Sequence, residues 1–150
     1  GAIDREGNCI VEPNYVSISR GNGFFLAVPS KYRKAFQENE DRKGVKVSVL
    51  DADGKEICQL SCDKYKSLSA GDDKIIASQE RDGKIVWCIL DTKGNQLFKG
   101  GINYPIIRKK FNSCFIFQKS DTKNVNFWFI PCQNSKFYVV KVLDKLKEKN

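Results

Sequence analysis

An aliphatic residue followed by an Asp-x-x-Gly turn recurs along this chain, and that recurrence constrains the fold more than any total does. Leu50-Asp51-Ala52-Asp53-Gly54 returns 40 residues later as Leu90-Asp91-Thr92-Lys93-Gly94, and Ile3-Asp4-Arg5-Glu6-Gly7 precedes both. Beyond the turns the same offset relates Ile75-Ile76 to Phe115-Ile116. An aspartate opening a turn accepts bonds from nearby backbone N–H groups, and glycine closes the turn at positive φ without steric cost. Each copy therefore joins two short strands. A period near 40 residues with about four strands per unit is the pattern of a β-repeat protein. One unit cannot bury its apolar face alone, so neighbours must stack.

Taken in order, the chain reads as strands separated by turns. The segment 1–18 suggests a hairpin about Glu6-Gly7-Asn8, with Pro13 ending its second strand because it lacks an N–H. Phe24-Phe25-Leu26-Ala27-Val28 is a strand. Residues 29–45 then break the rhythm with dense charge, and read as a long insertion with one helical turn near Tyr32 to Phe36. Insertions of that length in a compact domain are usually functional or mobile. From Val45 onward the alternation resumes, with a clear hairpin about Arg81-Asp82-Gly83-Lys84. Further strands are expected at 104–107, 114–117, 127–130 and 136–142, and a short helix at 143–147.

All 150 residues fit one domain, with units at about 1–45, 46–85, 86–125 and a partial 126–142, and a tail at 143–150. The expected class is all-β: three β-hairpin repeats plus a partial fourth, propeller-like or in another open or closed assembly. A β-trefoil is the alternative, since three near-repeats in this length suit it too.

These residues resemble the WG-repeat family, whose unit runs Trp-Gly-aromatic-Ile-Asp-x-x-Gly, an aliphatic pair, Pro-x-Tyr-x-x-Ile and a later apolar strand. The first unit matches through Gly1, Ile3-Asp4, Gly7, Ile10-Val11, Pro13, Tyr15 and Ile18. The third keeps Trp87, Leu90-Asp91, Gly94, Tyr104 and Ile107, with Cys88 at the family's glycine; the second keeps Leu50-Asp51, Gly54, Tyr65 and Leu68 but has no tryptophan. The resemblance implies a bacterial repeat module without known catalysis, with Gly1 as a motif glycine of a longer array. The chain contains no methionine, which also points to trimming, processing or an internal origin.

Chemistry is sparse. Histidine is absent, which removes the commonest general base and the Ser-His and Cys-His pairings. Gly21-Asn22-Gly23 precedes a strand rather than a helix, so it is no phosphate cradle. Asp51-Ala52-Asp53-Gly54 begins like a calcium loop but lacks its glutamate, and Asp91-Thr92-Lys93-Gly94 loses the second carboxylate. The aspartates are expected to cap turns. Cys58-x-x-x-Cys62 has no second pair, so no metal is expected. The six cysteines are read as reduced and packed like small hydrophobes, with one or two disulfides as the alternative. No cofactor is expected.

Of the net charge of +8, the last third carries +7, through Arg108, Lys109, Lys110 and the lysine-rich end. The expected function is non-catalytic: an interaction or scaffold domain for a protein or cell-surface partner. Candidate binding residues are Tyr32, Arg33 and Lys34 in the insertion, and Tyr104, Arg108, Lys109 and Lys110. The alternative is a polyanion, nucleic acid or charged glycan, held by the basic last third. A carboxylate-based hydrolase resembling a glycoside hydrolase ranks third. No apolar run has the roughly 18–20 residues of a membrane helix. The expected location is the bacterial cytoplasm, or the cell envelope after signal removal, without integral membrane insertion.

Overall fold

The computed structural model describes the backbone of residues 1–37, 42–99, 106–110, 114–118, 125–131 and 137–143, and the side chains of 1–36 and 42–97. The protein is all-β. A two-stranded ribbon, β1 (Ala2–Ile3) and β2 (Cys9–Val11), precedes three four-stranded antiparallel sheets. The first holds β3 (Tyr15–Arg20), β4 (Phe24–Pro29), β5 (Lys46–Asp51) and β6 (Glu56–Ser61). The second holds β7 (Ser67–Gly71), β8 (Lys74–Arg81), β9 (Lys84–Leu90) and β10 (Gln96–Lys99). The third holds β11 (Ile106–Lys110), β12 (Cys114–Gln118), β13 (Val125–Pro131) and β14 (Phe137–Leu143). Each sheet is a meander in chain order, because every connection joins strands adjacent in space.

The three Asp turns share one hydrogen-bond pattern. The N–H groups of Asp4, Asp51 and Asp91 donate to the carbonyls of Asn8, Lys55 and Asn95 at 2.9, 2.8 and 2.9 Å. In each, Oδ1 of the aspartate accepts the N–H of that same fourth residue, at 2.7, 2.9 and 2.8 Å. The closing glycines Gly7, Gly54 and Gly94 have φ of +90°, +82° and +83°. The register of each flanking strand pair shifts, as it does when such a glycine forms a bulge.

Sheets and sequence units are out of phase. The segment 46–85 contributes β5 and β6 to one sheet and β7 and β8 to the next. The cause is register: Phe25 lies opposite Leu50 and Leu26 opposite Val49, so β4 and β5 pair directly across the insertion between them.

Alternation puts apolar side chains on both faces of the first two sheets. One face of the first sheet, with Phe24, Leu26, Val47, Val49 and Leu60, packs on Ile75, Ala77, Cys88 and Leu90 of the second. The other face, with Phe25, Ala27 and Leu50, packs on Val11 of β2. Fully burying a side chain such as Phe24 or Leu90 contributes about 1.5–3 kcal/mol. On the opposite face of the second sheet Ile76 and Ile89 are also buried. The strands expected within 104–107, 114–117, 127–130 and 136–142 correspond to β11 to β14, whereas Leu143 ends β14 and the rest of the expected 143–147 helix lies outside the described residues.

Candidate functional site

The insertion leaves the first sheet at Pro29, whose φ of −57° and ψ of 143° end β4. A 3-10 turn, Ser30–Tyr32, runs into a short helix α1 (Arg33–Gln37), agreeing with the helical turn expected near Tyr32 to Phe36. The turn is tied down where Ser30 N–H donates to the carbonyl of Asn14 at 2.9 Å. Tyr32 and Phe36 lie four residues apart on one side and pack against the inter-sheet core. Arg33 and Lys34, between them, are exposed.

The returning limb is held as firmly. Val45 N–H donates to the carbonyl of Arg42 at 3.1 Å, and Cys62 N–H donates to the carbonyl of Val45 at 2.9 Å. Gly44 N–H donates to Oδ1 of Asp63 at 2.9 Å. The Arg42 guanidinium stands 5.0 Å from the Phe36 ring centroid, and the Lys31 ammonium stands 5.0 Å from that of Tyr32, both within cation–π range.

Between this insertion and the start of β7 lies a cleft of about 120 Å³, lined among others by Phe36, Arg42, Tyr65, Lys66, Ser67 and Leu68. It is smaller than the roughly 300 Å³ at which small-molecule sites begin, and matches one amino-acid side chain better than a metabolite. Its walls combine an aromatic floor, two cationic groups and hydroxyls. Cys62 also lines it, its thiol pushed above the ordinary value by burial, with Arg42 pulling the other way and Asp63 adding to the rise. That thiol is a poor nucleophile.

Among the described residues four carboxylates serve the fold directly. Asp4, Asp51 and Asp91 cap their own turns, and Glu56 accepts the Ser48 hydroxyl at 2.7 Å. Among the described residues no three His, Cys, Asp or Glu side chains gather as metal ligands. Among the described residues Cys9, Cys58, Cys62 and Cys88 form no disulfide.

Tyr32 thus ends the 3-10 turn, and Arg33 and Lys34 begin α1 directly after it. Arg108, Lys109 and Lys110 fall consecutively on β11, an edge strand of the third sheet, while Tyr104 lies outside the described residues. Arg42 belongs to the segment singled out from sequence, but Tyr65, Lys66 and Ser67 were missed as cleft residues. Tyr65 matched the repeat motif; nothing in the sequence indicates that β7 begins opposite the insertion.

Part of the chain is similar to proteins named membrane protein insertion efficiency factor. Identity is 67% over 55 residues with that of Campylobacter curvus (strain 525.92), covering 37% of this chain and 49% of that protein. It is 45% over 53 residues with that of Campylobacter hominis, covering 35% and 48%, and 43% over 49 residues with that of Aliarcobacter butzleri, covering 33% and 42%. The chain spans about half the length of these curated relatives, or less. No protein family matches the sequence, and no solved structure matches it. No described helix is long and apolar enough to cross a membrane.

Proposed function

We propose that this chain is a non-catalytic β-repeat binding module of the WG type and that it holds a protein partner at the insertion. The observation that carries this reading is the cleft that Phe36 of α1 helps to line, sized for one side chain and bordered by Arg42 and Lys66, with Arg33 and Lys34 exposed on α1 itself. A partner would insert one side chain as an anchor and meet the surrounding cations with acidic groups. Buried anchors supply most of the energy at such contacts, while rim charges set encounter rate and selectivity. The successive four-stranded meanders, two of which hold a like Asp turn between their third and fourth strands, support a blade-like repeat. A trefoil would draw strands of all units into one barrel.

The relatives' names support a membrane protein, or a protein acting during membrane insertion, as that partner. The test compares capture of detergent-solubilised Campylobacter membrane proteins by the chain and by R33E/K34E. A defined polypeptide retained by the first and lost from the second is expected; identical eluates would sink the reading.

Polyanion binding is the second reading, favoured by three consecutive cations on the edge strand β11. It predicts that labelled RNA or heparin binds at low salt, that affinity falls steeply with salt, and that R33E/K34E changes neither.

A further inference from the structure

The cleft beside the insertion has a cause in residue size. On the face of the first sheet that meets the second, β4 presents Leu26 and Val28, and β5 presents Val47 and Val49. β3 lies next to β4, with Ser17 opposite Val28 and Ser19 opposite Leu26. Residues opposite one another in an antiparallel pair share a face, so both serines stand where the neighbouring strands carry aliphatics. From the second sheet, Leu68 of β7 packs against the same core. A serine fills far less space than a leucine or valine, and the shortfall leaves the cleft that Ser17, Ser19, Leu26, Val28, Val47 and Leu68 line. Interiors are otherwise close-packed, and stability alone would favour an aliphatic at either serine.

Arg42 and Lys66 also line the cleft, and among its described lining residues there is no carboxylate. Both cations are exposed. Lys66 pairs with Glu80 at 3.4 Å, but the two side chains are 54% and 50% exposed, and such a pair contributes little and exchanges readily.

We infer that the partner's anchor is an aliphatic side chain of valine-to-leucine size within an acidic stretch, and that Ser17 and Ser19 select it; the inference rests on the insertion being the protein-binding site proposed above. The anchor lies against Leu26, Val28 and Leu68 and completes the margin of the inter-sheet core. A charged anchor would be set against that apolar floor at a desolvation cost. The carboxylates on either side of it meet Arg42 and Lys66 instead. Arg33 and Lys34 extend the positive surface along α1, which favours a run of carboxylates over the single one of a chain terminus.

The test titrates the full chain with a synthetic peptide in which a leucine is flanked on both sides by glutamates, and follows backbone amide shifts by NMR. The expected result is saturable binding with its largest shifts around Ser17 and Leu68. Replacing the leucine by glycine should weaken it about tenfold or more, and S17L, which fills the cleft from within, should do the same. Glutamine in place of the glutamates should weaken it as well. S17L adds buried apolar area, so its urea midpoint should stay at or above that of the parent chain. Where the midpoint falls, S17V repeats the measurement with a smaller side chain. Absence of binding, or binding indifferent to both the leucine and S17L, would overturn the inference. Capture of membrane proteins separates this failure from that of the underlying reading. A polypeptide lost from R33E/K34E but still retained by S17L overturns the aliphatic anchor alone, whereas identical eluates from all three chains overturn the binding site itself.

Discussion

Gly54 lies against the carbonyl of Ile10 so closely that no Cβ fits between them. The glycine closes the Asp51 turn, and the carbonyl belongs to β2, so one missing side chain lets the first sheet and the ribbon meet. Gly7 has a similar φ of +90° but open space where a Cβ would stand. G7A should therefore cost only the left-handed backbone penalty, about 1–2 kcal/mol. G54A should cost that penalty plus about 1–3 kcal/mol of overpacking. Urea denaturation of the two variants checks the difference, which equal midpoints would contradict.

Leu50 and Leu90 are buried at equivalent places in two inter-sheet cores, and Ile3 is their exposed counterpart. Leu50→Ala and Leu90→Ala should each destabilise by about 2–5 kcal/mol. Ile3→Ala should stay within about 0.5 kcal/mol of the parent chain. The same denaturation series measures all three.

The Asp4 carboxyl is held below its ordinary value of 3.8, chiefly by the Asn8 side-chain amide and then by the Asn8 backbone N–H. A lowered folded-state pKa means that the unfolded chain binds more protons in this window. The stability it contributes is present above 3.8 and is lost as pH falls through the lower folded value. NMR titration should give Asp4 a midpoint below 3.8, and D4N should flatten the acid limb of the stability profile.

The thiols of Cys58 and Cys62 are raised, first by burial; Asp91 and Glu56 add to the shift at Cys58. Cys58 also points its S–H at the carbonyl of Thr92, 3.4 Å away in the second sheet's turn. At neutral pH both should react with iodoacetamide more slowly than exposed Cys9, and more slowly than a free cysteine. Buried Cys88 should react only once the chain unfolds. Peptide mapping after timed labelling reads each site separately.

Phe36 sharpens how the insertion must be probed. Removing residues 33–42 would take away an aromatic that packs on the core, along with the Arg42 carbonyl that accepts the Val45 N–H. R33E/K34E spares both and should shift stability by no more than about 0.5 kcal/mol. F36A should lower it by about 1–3 kcal/mol.

Strand alternation, the Asp-x-x-Gly turns and the helical turn at Tyr32 were legible from residue order because each depends on neighbours within a few positions. Asp91 reaches the amide of Asn95, and Phe36 follows Tyr32 by one helical turn; such bonds are written in local spacing. Tertiary structure decided which surfaces those pieces share. Only the direct pairing of β4 with β5 across the insertion brings Arg42 and Phe36 to the cleft that Lys66 also lines, and only sheet stacking makes Leu50 and Leu90 core residues. The physical reason is range. Turn and strand preferences act along the backbone, whereas burial is settled by which distant strand arrives opposite.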